Sequence, residues 1–386
     1  MVKSYLHLIT IYGGNQMKKI FSIFLVSLLM LTLLAGCSPK EETATTTPEA
    51  PATGEVSEAG IVKLGLGQHT SIAKSKDLGT DADGKEVLPL GQVDTVIVAA
   101  GFDKDGKVVS VTIDNAQTKV NFDNALQLTT DLTAELKTKA ELKDEYGMIK
   151  ASSIQKEWYQ QADELGKWMV GKTVDEIKAM KVVEKDAAHP AVPDVPELTS
   201  LVTVSVEGYI AALEEAFINS VDVTGAVKVG LGHNISIAKS KGLGKDAEDK
   251  EVLPLAQVDT VMAATAFDAD GKVVATVIDN AQTKIQFDNT GKVTTDKAGE
   301  FKTKVELKDE YGMIKASSIQ KEWYQQADEL GKWMVGKTID EIKAMKVVEK
   351  DAAHPAVPDV PELTSLVTIS VEHYVAAVAE GFEKAK

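Results

Sequence analysis

The side chains whose types and spacing could do chemistry lie in a short motif that occurs twice. In each copy an acid is followed three residues later by serine and, after three more, by threonine. The copies are Glu197, Ser200 and Thr203, and Glu362, Ser365 and Thr368. A threonine hydroxyl can carry a phosphate ester, and each motif comes just before a predicted last helix, whose N-terminus favours anions. A phosphate ester on this threonine would therefore lie where anions are favoured, although the same residues also suit plain cap or strand positions.

The charge balance limits what could hold such a group. The chain has 386 residues, of which 42 are basic, all of them Lys, and 58 are acidic, for a net charge of −16. Without Arg, the phosphate could be held only by backbone N–H groups, Ser hydroxyls and Lys. The acidic balance excludes an ordinary nucleic-acid binder, because such proteins need a basic footprint.

Common motifs of catalysis do not occur in the sequence. It has no dinucleotide-binding or phosphate-binding glycine loop and no HExxH or GxSxG motif, and the GLG at 65–67 is too short to indicate more than a turn. The single Cys excludes a disulfide scaffold, a thiolate zinc site, a Cys-ligated iron–sulfur cluster and a c-type haem. Redox chemistry would therefore need a cofactor held in another way, and no metal site is predicted.

The N-terminal region has the pattern of an export signal. The predicted signal peptide spans residues 1–36, with a true start predicted at Met17, and from Met17 it contains two lysines, an apolar run and small residues before Cys37. The tripeptide Leu34–Gly36 followed by Cys37 resembles the lipobox of bacterial lipoproteins, which implies a lipidated Cys37. An ordinary signal or a transmembrane anchor is the alternative. Residues 37–60 lack large apolar side chains and predict a flexible tether.

The rest of the chain consists of two similar copies of one sequence. Val62 onward matches Val227 onward, and 141–203 recurs at 306–368 with a single change. We therefore predict two homologous domains. The predicted divisions are a first repeat over 61–218, a linker over Asn219–Ala226 and a second repeat over 226–386.

The local patterns of one repeat predict a hairpin and three helices. Strands at Val93–Phe102 and Lys107–Ile113 are joined at Asp103–Gly106, which we interpret as a plain turn rather than a calcium loop. The predicted helices are Ser153–Val170, a short helix opened by a capping box at Thr173, and Glu207–Phe217. Hairpins and helices without a βαβ rhythm indicate an α+β fold, with a small antiparallel sheet and packed helices in each repeat.

The repeated motif resembles the Asp-x-x-Ser-Gly-Ala-Thr segment of FMN-binding domains of the sodium-pumping quinone reductase and Rnf type. It keeps the spacing of acid, Ser and Thr, with Glu for Asp, Leu for Gly and Val for Ala. In that family a flavin transferase esterifies the FMN phosphate to the final Thr. The resemblance thus implies two covalently bound FMN groups per chain, on Thr203 and Thr368, with Ser200, Ser365, Glu197 and Glu362 also binding the cofactor.

The resemblance continues upstream of the motif. The segment at 92–118 is similar to that family's strand, turn, strand and cofactor-contact loop. It implies contacts to the isoalloxazine ring from six residues: Asn115, Gln117, Thr118, Asn280, Gln282 and Thr283. An Asx-type turn between strands is the alternative for Asp114–Thr118, which is also a second possible attachment site. Aromatic residues could stack on a flavin, although at helical spacing they are more typical of core packing.

The whole repeat, with its YGM and EWYQQA segments, resembles the two-domain flavinylated lipoproteins that carry electrons outside Gram-positive cells. This resemblance implies a redox carrier rather than an enzyme, anchored in the cell membrane by lipid and facing outward. Its implied partners are a maturing flavin transferase, a membrane quinone-linked electron donor, and extracellular acceptors such as ferric iron and soluble flavins. A cofactor-free surface binding or adhesion lipoprotein is the alternative.

Overall fold

A computed structural model describes residues 60–386, which lie within one compact unit. The described residues form eight α-helices and small antiparallel sheets, so the predicted mixture of helices and antiparallel strands is confirmed. Because both repeats belong to one compact unit, their separation into two domains is not confirmed. The predicted signal peptide over 1–36, the lipidated Cys37 and the tether before residue 60 lie outside the described residues.

The two repeats have the same order of elements, apart from one additional strand between them. The strands of the first repeat are β1 (Ile61–Ser71), β2 (Gly79–Thr80), β3 (Glu86–Val87), β4 (Leu90–Phe102), β5 (Val108–Asn121), β6 (Val182–Val183) and β7 (Val192–Pro193). Its helices are α1 (Lys139–Leu142), α2 (Trp158–Met169), α3 (Val174–Lys178) and α4 (Glu207–Ile218).

The additional strand is β8 (Val221–Ala226). The strands of the second repeat are β9 (Lys228–Ser236), β10 (Gly244–Lys245), β11 (Glu251–Val252), β12 (Leu255–Phe267), β13 (Val273–Gln286), β14 (Val347–Val348) and β15 (Val357–Pro358). Its helices are α5 (Lys304–Leu307), α6 (Trp323–Met334), α7 (Ile339–Lys343) and α8 (Glu372–Glu383). A 3₁₀ turn follows α1 and α5, at Lys143–Tyr146 and Lys308–Tyr311.

Two antiparallel sheets form the centre, with strand orders β5-β4-β1-β8 and β13-β12-β9. The fourth strand of the first sheet, β8, comes from the segment predicted as a linker. It pairs with β1, with Leu64 opposite Val221, and it buries Val223 and Ala226. Most of the segment Asn219–Ala226, which we predicted as the linker between the repeats, is therefore a strand of the first sheet.

The two sheets pack face to face because their long strands are apolar on both sides. On β4, Ile97 and Ala99 belong to a core between the sheets, whereas Val96 and Val98 pack with the helices of their own repeat. Burial on both faces explains why this strand lacks the usual polar alternation of an antiparallel sheet. The core between the sheets takes residues from both repeats, so the layers are helices, sheet, sheet and helices.

The GLG segment lies in strand β1, which corrects its interpretation as a turn. A Cβ atom at Gly65 would lie 2.0 Å from the backbone oxygen of Ala216, and one at Gly67 would lie 2.0 Å from that of Ala212. Helix α4 therefore crosses β1 backbone against backbone, which requires residues without a Cβ atom. The contact of β9 with α8 in the second repeat is built in the same way.

The predicted hairpin is confirmed, but its second strand is longer than predicted. The turn at Asp103–Gly106 has Gly106 at φ +75, and the Asp103 carboxylate accepts the N–H of Lys107 at 2.8 Å. Strand β5 continues beyond Ile113, and Asp114–Thr118 pairs with β4. Both the loop and the Asx-turn interpretations of this segment are therefore wrong, because its backbone groups are part of the sheet.

The helix predictions hold except at one boundary. The capping box at Thr173 and the last helix of the repeat are found where predicted. The helix predicted from Ser153 begins only at Trp158, because Glu157 forms a reciprocal capping box with Gln160.

Candidate functional site

The predicted attachment motif forms a turn between β7 and α4. Leu198 and Val202 are buried among the helices of their repeat, whereas Glu197 and Ser200 are exposed. The apolar pair therefore fixes the turn to the core and leaves the acid and the serine in solvent. The corresponding residues of the second repeat are exposed in the same way, namely Glu362 and Ser365.

Thr203 is half-buried and is held by Gln161, a fully buried side chain of α2. The N–H and the hydroxyl of Thr203 both donate to Oε1 of Gln161, at 2.8 and 3.3 Å. The Gln161 amide donates in turn to the carbonyl of Lys156 at 3.1 Å. The two hydrogen bonds thus fix the position of the threonine oxygen. Its hydroxyl proton points toward Gln161, and its lone pairs point in other directions. Thr368 and Gln326 repeat this arrangement at the same distances.

The threonine is not placed at the N-terminus of the helix. Val204 and Ser205 separate Thr203 from Val206, the cap residue of α4, and the acidic Glu207 stands in the first turn. A carboxylate in the first turn already uses the favourable electrostatics of that terminus. The expectation that the helix end holds a phosphate on Thr203 is therefore not supported.

Strand alternation divides the three predicted contact residues of β5. Asn115 and Gln117 share one face, where the Gln117 amide donates to Asp94 at 2.6 Å. Thr118 lies on the other face, paired with Val93 in a core between the sheets. Thr118 therefore points away from the side that Asn115 lines. The second repeat divides its residues in the same way, with Asn280 and Gln282 on one face and Thr283 on the other.

A cavity of about 390 Å³ lies on the Asn115 side of β5. Its walls include the rings of Tyr146, Trp158 and Tyr209, together with Val204, the residue directly after the threonine. The Trp158 indole N–H donates to the Tyr209 hydroxyl at 2.9 Å, which fixes the two rings against each other. Much of the remaining wall is polar or charged and includes Lys74, Asp94 and Glu207. Aromatic walls combined with polar groups are typical of sites for flat organic ligands. We define this cavity of the first repeat as the aromatic pocket, and we use the same name for the equivalent group of side chains in the second repeat, namely Asn280, Lys304, Tyr311, Trp323 and Tyr374.

A buried cation lies in the wall of the aromatic pocket. Lys139, on α1, is 8% exposed, and its Nζ lies 5.0 Å from the centroid of Tyr146 and 5.6 Å from that of Trp158. Burial lowers the pKa of Lys139 to about 8, an effect that the nearby Asp94 carboxylate opposes. The ammonium is therefore present at neutral pH and faces aromatic rings.

An unpaired oxygen lies in the same pocket. Asn115 is 5% exposed, and its Oδ1 atom has no hydrogen-bond partner within residues 60–386. Leaving a buried carbonyl unpaired costs about 1–3 kcal/mol, so buried polar atoms in native proteins are nearly always paired. Asn280 has the same unpaired oxygen at 4% exposure. An unfavourable feature that is built twice indicates an atom that faces a ligand.

The second repeat reproduces the remaining features of the pocket. Lys304 is 7% exposed, and its Nζ lies 4.9 Å from the centroid of Tyr311 and 5.2 Å from that of Trp323. Burial again lowers the lysine pKa to about 8. The Trp323 indole donates to Tyr374 at 3.1 Å.

A separate cluster of ionisable side chains joins the repeats. The ring nitrogens of the buried His233, on β9, lie 3.0 Å from Glu141 of α1 and 3.1 Å from Glu380 of α8. Burial opposes the charge on His233, but hydrogen bonds to the two carboxylates outweigh it and raise the histidine pKa to about 9. The three residues have metal-like spacing. An imidazolium has no free lone pair, however, and Lys384 lies 3.5 Å from Glu141, so the cluster is an ion-paired one.

The equivalent position in the other repeat holds a neutral side chain. Gln68 donates from Nε2 to Glu306 at 3.1 Å, and its backbone N–H donates to Glu215 at 2.9 Å. Burial raises the pKa of Glu215 to about 8, and the neighbouring Glu306 adds to the shift. This cluster therefore carries a proton on a carboxylate where the other carries it on an imidazole.

Comparisons with protein-family models, with curated proteins and with solved structures returned no match. Among the helices of residues 60–386, none combines the length and the apolar character that crossing a membrane requires. Of the predicted site residues, Asn115 lies in the wall of the aromatic pocket and Thr203 directly precedes a wall residue. Glu197 and Ser200 lie in solvent. Lys139 and Gln161 were not predicted as site residues.

Proposed function

We propose that the protein is a membrane-anchored extracellular electron carrier with one covalently attached FMN per repeat. Each repeat would be one FMN-binding-like domain, with the cofactor esterified to Thr203 or Thr368. Electrons would pass from a membrane quinone-linked donor to extracellular acceptors such as ferric iron or soluble flavins. The protein would turn over no substrate of its own.

The observation that carries this proposal is the aromatic pocket, whose wall includes Val204, the residue directly after Thr203. A group attached to the threonine would therefore begin one residue from the wall of the pocket. The rings of Tyr146 and Trp158 offer flat apolar surfaces, and the unpaired oxygen of Asn115 offers a hydrogen-bond acceptor. A flat, polar-edged ring system such as a flavin fits this set of groups.

The chain's own contribution would be positioning and retention. Gln161 fixes the backbone and the hydroxyl of Thr203, so the attachment point is held by α2 whether or not the hydroxyl is modified. When bound, FMN would supply the electron chemistry, which no side chain of the pocket provides. Covalent attachment would keep the cofactor from being lost by dilution outside the cell.

The remaining parts of the proposal rest on the N-terminal region and on charge. A lipid on Cys37 would anchor the chain at the outer side of the cell membrane, and residues 37–60 would act as the tether. The net charge of −16 would attract cationic donors and ferric species, and the attraction would weaken with salt.

The proposal is tested by producing the mature chain together with a flavin transferase and unfolding it in detergent. We expect yellow colour and in-gel flavin fluorescence that survive unfolding. Thr203→Val and Thr368→Val should each remove half of this signal, and the double variant should remove all of it. Thr199→Val is the matched control, because Thr199 is an exposed threonine of the same turn. A colourless wild type produced with an active transferase would favour the cofactor-free binding lipoprotein.

A further inference from the structure

The aromatic pocket presents two polar groups of opposite hydrogen-bonding character. The Oδ1 atom of Asn115 can only accept a hydrogen bond, whereas the ammonium of Lys139 can only donate. Both side chains are more than nine-tenths buried, and both line the same cavity. A ligand that satisfies them must therefore carry a donor and an acceptor and must be flat enough to lie against the Tyr146 and Trp158 rings.

The same pair exists in the second repeat. Asn280 has the unpaired oxygen, and Lys304 lies over the rings of Tyr311 and Trp323. Asp94 and Asp259 lie near the two lysines and favour their charged form. In each repeat an unpaired acceptor and a buried cation therefore lie together with aromatic rings, and in the first repeat Asp94, Glu207 and Lys74 also line the cavity.

We propose that Asn115 with Lys139, and Asn280 with Lys304, recognise the cyclic imide edge of a planar ring. Such an edge has an N–H between two carbonyl groups, so its N–H pairs with the asparagine oxygen and a carbonyl pairs with the ammonium. The flavin ring has an imide edge of this kind, and in this respect the inference rests on the proposed function. It assigns the two asparagines and two lysines as positioning residues for that ring.

The strength of recognition follows from the cost of leaving buried groups unpaired. A ring that lacks the N–H would leave Asn115 Oδ1 without a partner and would place a bulky group against it. An unpaired buried acceptor costs about 1–3 kcal/mol, which corresponds to about tenfold or more in affinity. Affinity should also fall as the pH rises through the lysine pKa of about 8, because the ammonium is then lost. Burial and the nearby Lys74 and Lys119 lower the pKa of Lys139, whereas Asp94 and Asp114 oppose the shift.

The test uses the mature chain produced without a transferase and two probes, lumiflavin and its N3-methyl derivative. Neither probe has a phosphate, so neither can be esterified to a threonine. Equilibrium dialysis at pH 7 should find two lumiflavin molecules bound per chain and about tenfold weaker binding of the methylated probe. Equal affinity for the two probes would overturn the inference, and this comparison needs no variant of the protein.

Variants then assign the residues. Asn115→Leu combined with Asn280→Leu should abolish the discrimination between the probes. Lys139→Met combined with Lys304→Met should weaken lumiflavin about tenfold and remove the loss of affinity near pH 8. The matched control changes two exposed lysines that lie two residues before the pocket lysines, Lys137→Met and Lys302→Met. Control variants that weaken lumiflavin as much as the pocket variants would contradict the assignment.

The probe comparison and the test for covalent flavin together distinguish this inference from the proposed function. Stable flavin on Thr203 without discrimination between the probes would leave the electron carrier standing and remove the imide recognition. Discrimination between the probes without covalent flavin would support the pocket and contradict attachment to the threonine.

Discussion

The aromatic pockets and the ionisable clusters differ in how closely the two repeats agree. The lysine lies over the same tyrosine and tryptophan rings in both repeats, with distances that agree within about half an ångström. Two other residues that line the first pocket, His69 and Gly208, are replaced by Asn234 and His373 in the second repeat. The clusters between the repeats hold His233 on one side and Gln68 on the other. Agreement in the pockets indicates one binding task performed twice, whereas the difference between the clusters makes the two halves of the interface distinguishable.

The two ionisable clusters differ in the charge that lies between their carboxylates. His233 places a positive charge between Glu141 and Glu380, so both carboxylates stay ionised and their pKa values are lowered by their hydrogen bonds to the histidine against the effect of burial. Gln68 brings no charge, and the pKa of Glu215 rises instead. Packing is therefore similar at the two positions, but their response to pH is not.

The largest effect is expected where the repeats agree in their backbone contacts. Gly65→Ala should destabilise the fold by about 3 kcal/mol or more, since a Cβ atom would lie 2.0 Å from a backbone oxygen of α4. Chemical denaturation measures the loss. Gly79→Ala is the control, because no atom lies within 4 Å of its added Cβ. Gly230→Ala should cost a similar amount, and a loss below about 1 kcal/mol at either site would contradict the close contact of strand and helix.

The next effect separates the two clusters. His233→Gln should cost about 3 kcal/mol of stability at pH 6, because the variant removes a buried cation from between two carboxylates. The reverse change, Gln68→His, should stabilise the chain by supplying a cation to Glu215 and Glu306. Urea unfolding of the two variants measures both changes in stability. Destabilisation by both changes would show that side-chain fit, rather than charge, distinguishes the clusters.

The pH dependence sharpens the same comparison. The pKa of His233 is about 9 in the folded chain and near 6.5 when unfolded, so its stabilisation is complete below about pH 6.5 and is lost as pH rises through 9. The pKa of Glu215 is about 8 in the folded chain instead of 4.5, so the unfolding free energy also falls as the pH rises from 4.5 to 8. We expect unfolding free energy to decrease from pH 6.5 to 9 in the wild type and to decrease less in His233→Gln. A parallel decrease in the two proteins would exclude the histidine as its source.

The smallest effect concerns the attachment residue. Thr203→Val removes only the hydrogen bond from the hydroxyl to Gln161 and leaves the bond from the N–H in place. Stability should change by less than about 1 kcal/mol. Thermal unfolding of Thr203→Val and Thr368→Val checks this, and a large loss in either would mean that the threonine serves the fold rather than a cofactor.

The sequence predicts elements better than their assembly. Turn and cap residues have local causes, so the hairpin at Asp103–Gly106, the capping box at Thr173 and the last helix were predicted correctly. The strand pairing of Asp114–Thr118 depends on β4, and that of Val221–Ala226 depends on β1. Such non-local hydrogen bonds leave no signature in a short segment, and both segments contain residues that also suit turns.

The site was predictable only in part for a similar reason. The family resemblance predicts Asn115 as a contact to the cofactor ring, and the structure adds that its oxygen is buried and unpaired. Lys139 gave no signal, because a lysine after Thr138 is an ordinary residue of a capped helix until the pocket encloses it. Gln161 lies among the apolar residues of α2, so the helical pattern alone did not identify it. A glutamine at a buried position could nevertheless have indicated a side chain that hydrogen-bonds to a neighbouring segment.

The central claim is that each repeat keeps a flavin on the threonine beside its aromatic pocket. The most direct measurement is mass spectrometry of the peptides that contain Thr203 and Thr368, prepared from the chain produced with an active flavin transferase. We predict that both peptides carry the mass of an FMN group joined through phosphate, with fragmentation that locates it on the threonine. Two unmodified peptides, or flavin located on another residue, would contradict the account.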